Sequence, residues 1–392
     1  MLIINNHYHE VNLMLQNEYN DEALSAQVDA LARLKNDVVL DTRDTLLFDG
    51  GSMLALRDSH YATTDHALSN IGNHLGIPMS YIEKLRDRAR NGDNSLRDQM
   101  HSLIDHNFNS LLHNPTGKSP TRLFRTYRSG IDAHGRNVTQ SVRSAHSNAY
   151  MIFDHDHVLR YVKMALKTLS QRHAIKFVSN GLTDSRLYIK IVFPDMQAEV
   201  KAKQVGDVVE AGIIISNSEI GMGSFVVRQF INRLVCTNGM VLPDYAGGMS
   251  RRHVGQRHDI GTVNLQRDTI VAQQVALGKT LRDNVINCVN EDRFKAVISK
   301  YNESAEDMAG EREPEDAMQS LGKKFGLTDE EVKRATRALI SDNDYSRWGF
   351  ANAVTGLAHK ETNYDRATQL QELGGNVIQL SPREWHRVAL AA

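Results

Sequence analysis

Residues 186–193 read Arg-Leu-Tyr-Ile-Lys-Ile-Val-Phe, and residues 208–216 read Val-Val-Glu-Ala-Gly-Ile-Ile-Ile-Ser. The first stretch alternates over part of its length and stops at Pro194, which has no N–H to give to a strand ladder. The second is a nearly unbroken apolar, β-branched run, the pattern of a strand buried on both faces. Upstream, residues 121–128 are rich in Thr, Phe, Tyr and Arg and predict another strand, with 130–135 as a hairpin loop and 137–144 as the return. Residues 157–169 place Val158, Tyr161, Val162, Ala165 and Leu169 on one side of a helix. Residues 175–178 predict a short strand; 224–235 start strand-like, with a later half that also suits a helix. Several antiparallel strands around one helix make an α+β core over residues 116–262.

The flanks change period. Residues 1–115 read as mainly helical. Leu24, Val28, Leu31 and Leu34 form one stripe, and Thr64-Asp65 caps a helix bearing Leu68, Ile71 and Leu75. Gly76 and Pro78 break that helix, and a second follows with Tyr81, Ile82 and Leu85. A third covers 95–113 and ends at the turn residues Asn114-Pro115-Thr116-Gly117. Residues 263–392 return to helix, with a long one over 263–301. Residues 303–316 hold seven acids (303, 306, 307, 311, 313, 315 and 316) against Arg312, and read as an exposed acidic loop. Thr328-Asp329-Glu330-Glu331 is a capping box. Helices at 345–359 and 364–373 follow, the latter stopped by Gly374-Gly375, and Ser381-Pro382 opens a terminal helix. The fold expected is α+β, a central antiparallel sheet with helical N-terminal and C-terminal segments.

The chain has 392 residues, 41% of them apolar, and a net charge of −1, which excludes both wholesale disorder and a globally basic DNA-coating protein. It has no apolar run of about 18 residues. The N-terminus lacks a basic stretch followed by an apolar one. Two cysteines, Cys236 and Cys288, cannot build a disulfide framework. The expectation is a cytoplasmic protein with no membrane contact.

Charge is clustered although the total is only −1. Residues 116–150 contain Lys118, Arg122, Arg125, Arg128, Arg136 and Arg143 against one acid, Asp132. Phe124 and Tyr127 lie among them. Guanidinium groups beside aromatic rings on a sheet suit a single-stranded nucleic acid, the cations meeting phosphates and a ring stacking a base. One strand alternates its faces, so only a hairpin could gather these arginines. The alternative is a strand whose arginines pair with acids of the helices packed alongside. A second basic cluster, Arg251, Arg252 and Arg257 with His253 and His258, follows the stretch 244–248 and suits phosphate contact, as do Arg228 and Arg233 before it. The structural alternative there is a plain surface loop.

Other chemistry is poorly supported. Asp154-His155-Asp156-His157 offers four possible metal ligands, but on a strand no more than two converge. Gly221-Met222-Gly223 lacks the frame of a dinucleotide fingerprint, and Cys236 in its apolar run reads as an inert thiol. No catalytic residue, cofactor or metal ligand is assigned.

The segment 206–242 carries Ser216-Asn217-Ser218-Glu219 followed by Cys236-Thr237-Asn238-Gly239-Met240. With Tyr150 and Asp154 before it and Asn352-Ala353-Val354-Thr355 after it, this pattern resembles the domain of unknown function 932 family, phage and plasmid-like proteins, over roughly residues 64 to 378. The resemblance implies a mobile-element protein and no mechanism. Both motifs also make sense as turn networks. The function expected is a non-enzymatic single-stranded DNA or RNA binding protein, a homo-oligomer used in annealing or recombination. Arg122, Arg125, Tyr127, Arg128, Arg136 and Arg143 would form its track. The alternatives are a protein-binding module, directed at a host or phage protein, and a metal-dependent nucleic-acid enzyme.

Overall fold

The computed structural model describes residues 21–115, 119–147, 150–201, 207–234, 239–241, 249–251, 267–310 and 313–389. The expectations for Cys236, Asn238, residues 244–248, Arg252, His253, Arg257 and His258 lie outside the described residues.

Helix α1 (Asp21–Leu34) leads into four strands, β1 (Val38–Asp41), β2 (Thr45–Phe48), β3 (Met53–Leu56) and β4 (Ser59–Thr63). Most of the described N-terminal region is helical, and these four strands are an addition that the sequence did not lead one to expect. These strands are four or five residues long. That is too short for an alternation to stand out. Helices α2 (Asp65–Leu75), α3 (Met79–Asn91) and α4 (Asn94–His113) follow where expected. Thr64 caps α2 through the Ala67 N–H, and Gly76 ends it at φ +78. Next come β5 (Thr121–Tyr127), a two-residue hairpin β6 (Gly130–Ile131) and β7 (Asn137–Val138), and β8 (Ser141–Ser147). The first sheet runs β1-β5-β8-β4-β3-β2, with β4 and β8 parallel. Its core includes Leu54, Leu68, Ile82, Ile104, Phe108, Phe124 and Val142.

Helix α5 (His155–Leu169) connects to a second, antiparallel sheet of β9 (Lys176–Leu182), β10 (Leu187–Val200), β11 (Asp207–Asn217), β12 (Phe225–Arg233), β13 (Gly239–Val241) and β14 (Met249–Arg251). Strand β10 does not stop at Pro194. The register slips between Phe193 and Gln197, and this irregularity accommodates the proline. Strand β11 is buried almost throughout, as its composition requires. The later half of β12 is strand rather than helix.

The C-terminal region is helical: α6 (Arg267–Cys288), α7 (Glu291–Glu306), α8 (Pro314–Phe325), α9 (Asp329–Asp342), α10 (Arg347–Gly356), α11 (Tyr364–Ile378) and α12 (Pro382–Ala389). The expected single helix over 263–301 is two, because Asn290 caps a new one through the Arg293 N–H. The acidic stretch is not one loop. It ends α7 and opens α8, where Glu315 and Asp316 complement the helix dipole. The Thr328–Glu331 capping box is present. Helix α11 runs through Gly374-Gly375, because α10 passes too close for a side chain: a Cβ on Gly374 would lie 2.1 Å from Thr355 Cγ2 and 3.0 Å from the Ala351 carbonyl. No helix among the described residues is long and apolar enough to cross a membrane.

Candidate nucleic-acid interface

Helix α5 starts inside a knot of charge. Asp154 stands at its N-cap position but makes no side-chain cap bond. Its carboxylate instead accepts from Arg125 Nη2 at 2.7 Å and lies 3.1 Å from Lys35 Nζ. The cap comes from Glu219, just past β11: its Oε1 accepts the His155 N–H at 2.9 Å and Lys35 Nζ at 2.6 Å. Glu219 Oε2 accepts from Arg143 Nη1 at 2.9 Å. The Glu219 carbonyl accepts from Arg125 Nη1 at 3.1 Å and from the Tyr150 hydroxyl at 3.0 Å. Asp37 meets Arg125 Nε at 2.8 Å, and Asp156 meets Lys35 Nζ at 3.2 Å. The Arg143 guanidinium carbon also lies over the Tyr127 ring, 3.9 Å from its centroid.

Four carboxylates (Asp37, Asp154, Asp156 and Glu219) thus face three permanent cations (Lys35, Arg125 and Arg143), with His157 beside Asp156 at 3.4 Å. Burial works against every charge here; it raises the Asp37 carboxyl in spite of Arg125, while for Glu219, Asp156 and Lys35 the pairing outweighs it. Glu219 and Asp156 are held well below the usual carboxylate range, and Lys35 is held above its ordinary value by Glu219, Asp154 and Asp156. His155 goes the other way: burial lowers it to about 4, so it is neutral, with Asn217 Nδ2 3.1 Å from its Nδ1. Oxygens of Asp154, Asp156 and Glu219 lie within 4.8 Å of one another, a spacing that would suit a divalent cation. The Lys35 ammonium sits among them.

The arginines that the sequence gathers do not share an open trough. Arg125 and Arg143 are buried in this network. Tyr127 is half-buried beneath Arg143. Arg122 is half-buried with its Nη2 against the His74 ring. Arg128 is exposed and donates to the Arg33 carbonyl at 3.2 Å. Arg136 is bound to Asp132 at 2.7 Å. Arg228 pairs with Glu372 at 2.7 Å, and Arg233 is buried against Asp207. The backbone of Arg251 pairs with Phe225. For Arg125, Arg136, Arg143, Arg228 and Arg233 the physical reason is the pairing with acids weighed as the alternative: a carboxylate reaches each of these guanidinium groups.

One group of cations that does face water lies on α5 and just beyond it. Between residues 157 and 176 there are five bases (Arg160, Lys163, Lys167, Arg172 and Lys176) and no acid. All five are exposed. Arg160, Lys163 and Lys167 fall at i, i+3 and i+7 and so share one stripe, while Val158, Val162, Ala165 and Leu169 turn into the core. The stripe spans about 10 Å at 1.5 Å per residue. Among the described residues only Lys163 of these five makes a side-chain hydrogen bond, to Ser25 Oγ at 2.7 Å.

A family pattern described as "Domain of unknown function (DUF932)" matches residues 142–377, more than half of the chain. The chain belongs to the DUF932 family. No curated protein and no solved structure matches it. The match begins at 142 rather than near 64. The DUF932 part therefore contributes Arg143, Asp154, Asp156, Glu219 and all of α5, while Lys35, Asp37, Arg125 and Tyr127 come from the chain before it. The Ser216–Glu219 motif ends a buried strand and delivers Glu219 to the head of α5. Sequence reading missed Lys35 and Asp37, isolated charges whose partners lie more than eighty residues away. It also passed over the α5 stripe, although the absence of acids over 157–176 was a legible signal.

Proposed function

We propose that this DUF932 protein binds single-stranded nucleic acid without acting on it chemically, through the outward face of α5. The observation that carries this reading is the exposed stripe Arg160, Lys163 and Lys167 on α5, followed in sequence by the exposed Arg172 and Lys176, on a protein whose net charge is only −1; one acid, Asp195, is bonded to this stretch, at His173 and Ala174. Such a row attracts a polyanion, and backbone phosphates are its natural ligand. The buried network serves this surface indirectly, by fixing the first turn of α5 from β5, β8 and β11. The working place is the cytoplasm, and a long strand shared by several copies would favour homo-oligomers, as annealing or recombination work requires.

If about five phosphates are neutralised, the slope of log affinity against log salt is roughly −3.5. Fluorescence anisotropy of a labelled oligothymidylate, titrated at several salt concentrations, measures it. The combined variant Arg160→Ser, Lys163→Ser and Lys167→Ser should weaken binding at least tenfold and flatten the slope. Absence of binding at low salt, or equal affinity for the variant, defeats the proposal. A metal-dependent enzyme is the second reading, favoured by the convergence of Asp154, Asp156 and Glu219. The Lys35 ammonium among those oxygens argues against that second reading.

A further inference from the structure

A second buried cation lies on the other side of the second sheet. Lys190, in the middle of β10, is 4% exposed. It lies beneath α11 in a small apolar cluster containing Tyr188, Val192, Ile214 and Phe230. Its Nζ is 4.9 Å from the Tyr364 ring and 5.9 Å from the Phe230 ring. The hydrogen-bond acceptor it reaches is neutral, Gln371 Oε1 at 2.7 Å.

Lys190 is unlike Lys35, which has three carboxylates around it. The charged and titratable groups facing Lys190 come from three elements. Tyr188 is on β10, and Arg228 is on β12. Tyr364, Asp365 and Glu372 are on α11. Glu372 is engaged by Arg228 at 2.7 Å, and Asp365 by Ser185 at 2.6 Å and by Tyr188. Tyr364 is bound to Ser179 at 2.8 Å. A protonated Lys190 is therefore sealed under α11 with an amide and two aromatic rings as its near neighbours. A neutral amine fits the same place at much lower cost.

We propose that Lys190 makes the docking of α11 on the sheet sensitive to protons, the helix being held most tightly when the amine is neutral. Burial lowers Lys190 to about 7. A lysine released to water stays protonated up to about 10.4. Between those values the closed state has shed a proton that the open state keeps, so raising the pH favours the closed state.

The test is hydrogen exchange of the amides in residues 364–378, expressed as protection corrected for the intrinsic rate. Between pH 6 and pH 9 the protection should rise, by up to about a hundredfold. Lys190→Met should remove most of this rise. Gln371→Glu, which gives the ammonium a counter-ion, should flatten it as well and serves if the methionine variant does not fold. Protection independent of pH in the wild type, or a pH dependence preserved in both variants, overturns the proposal.

Discussion

Lys35 Nζ lies 2.6 Å from Glu219 Oε1, joining the end of α1 to the loop after β11 across 184 positions of sequence. Glu219 is 2% exposed and also bonds Arg143 and the first amide of α5. One carboxylate thus ties three elements to a fourth. The value of the arrangement is in position: buried ion pairs contribute little net stability, but breaking one from a single side is costly.

Glu219→Gln keeps the shape and removes the charge. It leaves Lys35 and Arg143 short of a counter-charge, so the expected loss is about 3–5 kcal/mol. Denaturant unfolding measures it, and a midpoint unchanged from the wild type would contradict the network's role.

Lys35→Met leaves the oxygens of Asp154, Asp156 and Glu219 converging with no cation among them. A loss of about 3 kcal/mol is expected. Millimolar Mn²⁺ should raise the melting temperature of this variant and leave the wild type unmoved. A variant as stable as the parent, or a metal effect equal in both, would show that Lys35 does not fill a cation seat.

Acid should unfold the protein in a defined window. Against the cost of burial, the Arg136 N–H and guanidinium, the Gln27 amide and the His134 N–H hold Asp132 down to about 2. Its folded value is depressed, so its contribution is present above about pH 4 and is lost as the pH falls towards 2. The contribution is about 2 kcal/mol. Glu219 and Asp156 act in the same direction. Asp132→Asn should therefore be less stable at pH 6, with the difference from wild type shrinking towards pH 2; a constant difference in thermal melts would refute this.

The contact of α10 with α11 allows no side chain at Gly374. Gly374→Ala should cost about 1–3 kcal/mol through overpacking against Thr355 and the Ala351 carbonyl. Adding Thr355→Ser, which removes the clashing methyl, should recover part of that loss. A calorimetric melt with no recovery in the double variant would place the strain elsewhere.

Much of this fold is legible in the residues. The apolar run 208–216 marks the buried centre of the second sheet. Thr64 and the Thr328–Glu331 box mark helix starts. Each failure has a physical cause. Strands β1 to β4 are too short for periodicity to register. Pro194 and Gly374-Gly375 read as breaks, yet a register slip absorbs the one and a close helix crossing uses the other. For the candidate site, the basic hairpin was visible but its fate was not, because Asp37, Asp154 and Glu219 approach Arg125 and Arg143 only once the chain has folded.

Local chemistry alone determined that this chain would form α+β structure with helical ends, since propensity, capping and hydrophobic period act over a few residues. It also fixed how many cations there are and their order along the chain. Which of them water can reach was decided only by the packing of α1, β5, β8 and β11 around the head of α5. Charge acts through space, and a guanidinium sealed by carboxylates from distant segments has little left to offer a phosphate, whereas a lysine on an outward helical stripe, though screened by water and salt, stays open to one.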